Sequence, residues 1–320
     1  MNNHEQTSIR TRTLRFHEYG KPEDVLRLEE AELPHPRQNN IRVGVNACGL
    51  NPADWALCQG LYAGLLPRGV GLDVSGVVES IGEGVRDVRI GDAVLGRVDF
   101  TEYTSAGAAD YAVLNYWAKL PGGLDFMQAA TLPMVVETAY RSLDNLGVTG
   151  GDSILIHGAG TMVGFAAVQM ALMRGARVTA TAGPTFADRL HALGATVTPY
   201  GDGMVDRVLH IGGGSPDWVL DAAPPSGVLP DLVKIAGDPK HVLALTDFAA
   251  AKELGVRDSL SEDMTMRFDV LGEFAQLAAD GKFEMPVARI LPLEDWRSAL
   301  ELSQSRNSRG KVMLQVRANV

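Results

Sequence analysis

Apolar residues along this chain keep two different rhythms. Up to about residue 130 they come in short β-like runs broken by glycine and proline, such as IRVGVNACGL (41–50), DVSGVVESIG (73–82) and AVLGRV (93–98). Alternation with turn residues at this spacing predicts a compact, mostly β domain. From about Gly151 the runs become those of trading strands and helices. SILIH (153–157), ARVTATA (176–182), TVTPY (196–200), DWVLDAA (217–223) and HVLALTD (241–247) read as strands. VGFAAVQMALMRG (163–175), FADRLHALG (186–194), MVDRVLHIG (204–212) and GVLPDLVKIAG (227–237) read as the intervening helices, the first two stopped by Gly175 and Gly194. Such alternation predicts a parallel sheet covered on both faces. MRFDVLGEFAQLAADG (266–281) reads as an amphipathic helix, and the tail returns to strands at VARILPL (287–293) and KVMLQV (311–316). The expectation is an α/β chain with a mostly β domain at 1–132 completed by 287–320, and a doubly wound parallel-sheet domain at 133–286.

Charge narrows the partners. The chain carries 29 basic against 39 acidic residues, a net charge of -10, which disfavours a nucleic-acid backbone. No apolar run reaches the roughly 20 residues that span a bilayer, so no membrane partner is expected. The opening MNNHEQTSIRTRTLRF lacks a signal-peptide core, and Cys48 and Cys58 form no C-x-x-C pair. Together these predict a reduced, cytoplasmic protein.

The stretch LIHGAGTMVGFAAVQMA (155–171) spaces Gly158, Gly160 and Gly164 as G-x-G-x-x-x-G, one residue longer than the usual dinucleotide fingerprint. In a strand–loop–helix setting, glycines permit the tight turn and the backbone approach to a pyrophosphate, whose charge the helix N-terminus stabilises. The competing reading is a tight turn in a nucleotide-free sheet. Cofactor choice is read at the end of the second strand, where an NAD enzyme usually places a carboxylate for the ribose hydroxyls. Here stand Thr181, Ala182, Gly183, Pro184 and Thr185, with no acid before Asp188. That favours NADPH, with Arg189 and Tyr200 as candidates to face the 2′-phosphate, although Arg189 reads equally as a solvated helix residue.

NPADWALCQGLY (51–62), GLDVSGVVESIGEGVRDVRIGDAVLG (71–96), TLPMVVETAYRSL (131–143) and the glycine loop occur in that order. Together they resemble the medium-chain dehydrogenase/reductase superfamily, and within it the zinc-independent, zeta-crystallin-like quinone oxidoreductases. The resemblance implies a GroES-like catalytic domain, a Rossmann cofactor domain, a cleft between them and a homodimer, with the sheet edge near HVLALTD and GVRDSL pairing across a two-fold. Zinc-dependent relatives carry a ligand cysteine where this chain has Asn51 and a ligand histidine where it has Leu72. An amide and an aliphatic chain bind Zn²⁺ poorly, so no metal is expected. Cys48 and Cys58 then read as small packed residues.

The resemblance also assigns roles. Asn51 is expected near the nicotinamide ribose and substrate, Tyr62 facing the cleft as a carbonyl-orienting or proton-donating phenol, and Thr138 beside the nicotinamide. The cofactor set is Gly158, Ala159, Gly160, Thr161, Met162, Val163 and Gly164 in the loop, with Thr181, Ala182, Arg189, Tyr200 and Thr246. Asp54 and Asp73 are expected to bind backbone amides. Asn51 also reads as a turn former and Tyr62 as a structural tyrosine. Ala56 and Cys58 replace an aromatic and an arginine common in relatives, which widens the pocket. Thr161 and Met162 replace loop glycines; Thr161 is a candidate phosphate ligand. Ala187 replaces the usual basic residue after the second strand, which weakens the argument for NADPH.

Without a metal to hold charge on one oxygen, hydride acceptors that delocalise it are favoured: quinones and α,β-unsaturated carbonyls. An NADPH-dependent quinone reductase is the leading expectation. An enoyl or 2-alkenal reductase of the same superfamily is the close alternative, and a non-catalytic NADPH-binding sensor or structural protein the alternative of another class.

Overall fold

A computed structural model describes residues 8–261, 265–305 and 308–317. The first seven residues, which begin the stretch read as lacking a signal-peptide core, lie outside it. The chain forms two compact units, residues 1–134 with 268–320, and residues 135–267.

The first unit is built around Ile41–Gly49, a strand buried along its whole length. It pairs antiparallel with Asp73–Ile81, with Tyr111–Lys119 and with Lys311–Gln315. Ala93–Val98 bridges Asp73–Ile81 and Tyr111–Lys119, so these four strands close on themselves, which removes free edges. A separate three-stranded sheet orders Arg27–Leu33, Ile9–Phe16 and Arg68–Gly69. Phe16, Val45, Trp55, Leu114 and Trp296 lie in one core, to which the C-terminal segment contributes. The tail strand Val287–Pro292 runs parallel to Lys311–Gln315, which joins the sheet of the first unit beside Ile41–Gly49.

The second boundary falls nearer the N-terminus than its expected place at residue 287. Helix Leu271–Ala279 belongs to the first unit, and the open face of Gly272 lies against Ala118 of the strand Tyr111–Lys119. Amphipathic spacing shows that a helix buries one face but not against which sheet.

The second unit is a six-stranded parallel sheet in the order Thr196–Thr198, Arg177–Thr181, Ser153–His157, Trp218–Asp221, Val242–Ala244, Arg257–Asp258. Numbered along the chain this is 3-2-1-4-5-6, the Rossmann winding, whose strand order reverses between Ser153–His157 and Trp218–Asp221. Helix Met162–Met173 is apolar all round and buried from Gly164 to Ala171, as a helix enclosed by its fold must be. HVLALTD supplies the inner strand Val242–Ala244, and the edge strand Arg257–Asp258 comes from GVRDSL.

Candidate active site and dinucleotide loop

Asn51 starts the helix Pro52–Cys58, with Pro52 at the first helical position where its missing N–H costs nothing. The backbone N–H of Asn51 donates to Asp54 Oδ2 at 2.6 Å, and Asp54 Oδ1 accepts from Gly71 N at 2.8 Å. Asp73 Oδ1 accepts from Met134 N at 2.8 Å. Both carboxylates therefore bind backbone amides, as read from the sequence. Burial pushes the Asp54 carboxyl up to about 7, against the pull of its two N–H donors, and the nearby charge of Asp73 adds to the rise.

A residue the sequence did not single out completes this cluster. Lys311 is 3% exposed, and its Nζ donates to Asn51 Oδ1 at 2.5 Å and to Asp73 Oδ2 at 2.9 Å. The ammonium fixes the Asn51 amide, whose Nδ2 then donates to the same Asp73 oxygen at 2.9 Å and to Gly49 O at 3.3 Å. The donor set at the positions of the zinc ligands is thus an amide already occupied by a lysine and, at Leu72, a buried aliphatic side chain. Those residues do not fit Zn²⁺. Cys48 and Cys58 are buried; burial pushes the Cys48 thiol well up and the Cys58 thiol to about 12, so neither supplies a thiolate near neutrality. Among the described residues no group of three or more His, Cys, Asp or Glu is arranged to hold a metal ion.

Tyr62 stands apart from the buried cluster. Its side chain is half exposed, its ring lies 6.5 Å from that of Phe100, and its backbone has φ 51°, uncommon for a residue with a Cβ. Arg68 Nη1 donates to the Tyr62 carbonyl at 2.5 Å and holds that turn.

In the second unit Gly158 takes φ 75°, and a Cβ there would come within 2.6 Å of Ala223 N. A Cβ on Gly164 would come within 2.3 Å of Gly158 O, so both outer glycines are sterically required. Gly158 N donates to Thr181 Oγ1 at 3.2 Å, Ala159 N to Thr181 O at 3.0 Å and Thr161 N to Gly158 O at 2.9 Å. Gly160, Met162 and Val163 keep N–H groups with no acceptor among the described residues, at the start of a helix of 12 residues. This cradle fits a pyrophosphate. Thr161 caps the helix, its Oγ1 accepting from Gly164 N at 3.1 Å, which leaves its O–H for a phosphate oxygen.

Thr181 is fully buried and lies under the loop: besides Gly158 N, its hydroxyl meets His157 Nδ1 at 2.8 Å. Burial lowers the His157 imidazole to about 4, so the ring is neutral near pH 7. Thr246 Oγ1 donates to Ala223 O at 2.6 Å, and Ala222 N to His157 O at 2.9 Å. These bonds fasten the loop to neighbouring strands at their carboxyl ends, where open α/β sheets bind ligands. Asp221, also buried there, is pushed up to about 7 by burial, partly opposed by the N–H of Ala223.

The remaining candidates are placed as follows. Ala182 is buried beside Thr181, Tyr200 is exposed with its phenol near Gly183, and the Arg189 guanidinium lies 5.5 Å from the Phe165 ring centroid. Thr138, in the helix Pro133–Leu146, sits beside Glu137, which accepts from Arg141 Nε at 2.6 Å in a buried ion pair. Asn51 and Tyr62 belong to the first unit, and Thr138 and the loop to the second. Lys311, His157 and Asp221 escaped sequence reasoning; the only signal for Lys311 was one charge opening an apolar strand.

Residues 37–133 match the alcohol dehydrogenase GroES-like domain family and residues 191–314 the zinc-binding dehydrogenase family. Quinone oxidoreductase from Lama guanicoe is 39% identical over 178 residues, covering 54% of this chain and 52% of that protein. The protein of that name from Homo sapiens is 38% identical over 178 residues, covering 54% and 53%. The aligned part thus spans about half the length of these curated relatives. A solved quinone oxidoreductase from Coxiella burnetii superposes with a TM-score of 0.82 at 28% identity, covering 97% of this chain and 100% of that one. With its closed β unit, its 3-2-1-4-5-6 sheet and Asn51 and Leu72 at the zinc-ligand positions, the chain belongs to the medium-chain dehydrogenase/reductase superfamily as a quinone-oxidoreductase-like member.

Proposed function

We propose that the protein is an oxidoreductase that uses NADPH to reduce quinones or related conjugated carbonyls without a metal. The observation that carries this reading is the Lys311–Asn51–Asp73 cluster, which places an internally satisfied ammonium–amide–carboxylate set at the zinc-ligand position Asn51. When bound, NADPH supplies the hydride. The N–H groups of Gly160, Met162 and Val163, with the Thr161 hydroxyl, hold the pyrophosphate. The absence of a carboxylate from Thr181 to Thr185 admits a 2′-phosphate, with Tyr200 and Arg189 nearest in sequence to receive it.

Conjugation spreads the charge that hydride addition creates, so the protein needs mainly to position the acceptor and exclude water. Tyr62, with its phenol partly in solvent, hydrogen-bonds the acceptor carbonyl and relays a proton. Asn51, held by Lys311, presents a fixed edge toward the nicotinamide ribose, and Thr138 lies beside the nicotinamide. In solution the protein is a homodimer joined through the edge strand Arg257–Asp258, and it works in the cytoplasm.

Initial rates of NADPH and NADH oxidation against 1,2- and 1,4-quinones and 2-alkenals test the reading. Quinone-dependent oxidation with NADPH preferred is expected. Turnover with 2-alkenals alone moves the assignment to enoyl reduction, and saturable NADPH binding without turnover on any acceptor overturns the enzymatic reading.

A further inference from the structure

Arg68 is buried to 5% exposure, yet no carboxylate among the described residues lies within ion-pairing distance of it. Arg12 and Arg15 of the same unit differ: Arg12 pairs with Asp110 and Glu294, and Arg15 with Glu29. The one hydrogen bond of the Arg68 guanidinium is from Nη1 to the Tyr62 carbonyl. Nε and Nη2 have no protein acceptor and are not sealed from solvent, since the buried unpartnered polar atoms belong to other residues. The group is therefore held in an apolar surround with one polar edge open.

A second cation converges on the same place. Arg68 Cζ lies 5.4 Å from the Phe100 ring centroid and Arg97 Cζ 4.9 Å from it, while Tyr62 faces Phe100 from the rim. Cation–π contact offsets part of the desolvation of Arg68, but its unpaired buried charge remains costly, and an anion at the open edge would remove that cost. A guanidinium edge with two parallel N–H donors matches a carboxylate, sulfonate or phenolate.

From this we infer that the acceptor taken beside Tyr62 is an anionic conjugated carbonyl, its negative group bound by the open edge of Arg68. The inference rests on the function proposed above, since it names the substrate class of that site. Arg68 is a specificity-determining residue, and the buried Phe100 ring holds its guanidinium in place.

The test uses the full chain and a matched pair of probes, 1,4-naphthoquinone and its 2-sulfonate. The anionic-to-neutral ratio of kcat/KM is measured for the wild type, R68M and R68K, and the same ratio of affinities by equilibrium binding. Dividing the wild-type ratio by that of R68M cancels the intrinsic reactivities of the probes. Loss of fold or of hydride chemistry lowers both rates together and leaves the ratio unchanged. A charge-assisted hydrogen bond predicts a quotient of about tenfold or more in both measurements, with R68K between wild type and R68M. A quotient within about twofold of one overturns the inference. If neither probe is turned over, the proposed function fails, and the binding quotient still decides the role of Arg68.

Discussion

The Nζ of Lys311 lies 2.5 Å from Oδ1 of Asn51, joining residues 260 positions apart. This one contact links the C-terminal strand to the start of the helix Pro52–Cys58 and, through Asp73, to a central strand of the closed sheet.

Removing the ammonium leaves Asp73 buried with a charge that only amide donors face. Lys311→Met is expected to lower unfolding free energy by about 3–5 kcal/mol, the usual cost of breaking a buried pair. Lys311→Met with Asp73→Asn removes the orphaned charge and is expected to recover much of that loss. Urea unfolding of the two variants checks this; equal destabilisation would mean the pair is not a coupled unit.

In the glycine loop, steric need and capping separate cleanly. Gly158→Ala forces a Cβ to within 2.6 Å of Ala223 N at a positive φ, and is expected to abolish NADPH binding in fluorescence titration. Thr161→Ala loses the bond from Gly164 N and is expected to cost about 1 kcal/mol of stability, with affinity for NADPH falling less than about tenfold.

Cofactor choice is testable at Gly183. Its φ of -76° suits any residue, and a Cβ there meets Tyr200 only at 3.7 Å, an ordinary contact. Gly183→Asp is expected to fold normally and, by opposing a 2′-phosphate, to weaken NADPH at least about tenfold relative to NADH. An unchanged ratio of Kd values would place the 2′-phosphate elsewhere.

His157 links the loop to pH. Its folded pKa, about 4, lies below the ordinary 6.5, so between these values the unfolded chain binds more protons. Its contribution is complete above pH 6.5 and is lost as pH falls toward 4. Asp221, raised to about 7, works in the opposite sense: it favours the folded state at low pH, and that contribution is lost as pH rises from 3.8 through 7. Asp54, also raised to about 7, acts in the same sense as Asp221, so total stability mixes these groups, and the informative quantity is the difference between wild type and His157→Asn, which keeps a hydrogen-bonding side chain beside Thr181. That difference is expected to shift against the wild type on acidification, by an amount on the order of 3 kcal/mol. A difference independent of pH would mean that the imidazole protonates freely in the folded state.

Local features were legible because local rules set them. SILIH is the strand Ser153–His157, and MVDRVLHIG is the helix Met204–Gly212, stopped by Gly213 in the left-handed conformation. The roles of Asp54 and Asp73 were also readable, one beside a helix start and the other at a strand start. Lys311 was not, because its partners lie far away in sequence and a lone lysine in an apolar strand carries no periodic signal. Arg68 and Phe100 were missed for the same reason: a cation–π pair between a two-residue strand and a distant loop has no spacing rule. Helix Leu271–Ala279 was found but given to the wrong neighbour, since its pattern names a buried face and not a partner.

Metal-free reduction is tested most directly by quinone-dependent NADPH oxidation by chelator-treated protein whose metal content is determined on the same sample. An undiminished rate with zinc far below one atom per chain, and no gain on adding Zn²⁺, is expected. A rate lost on chelation and restored by Zn²⁺ would contradict metal-free reduction.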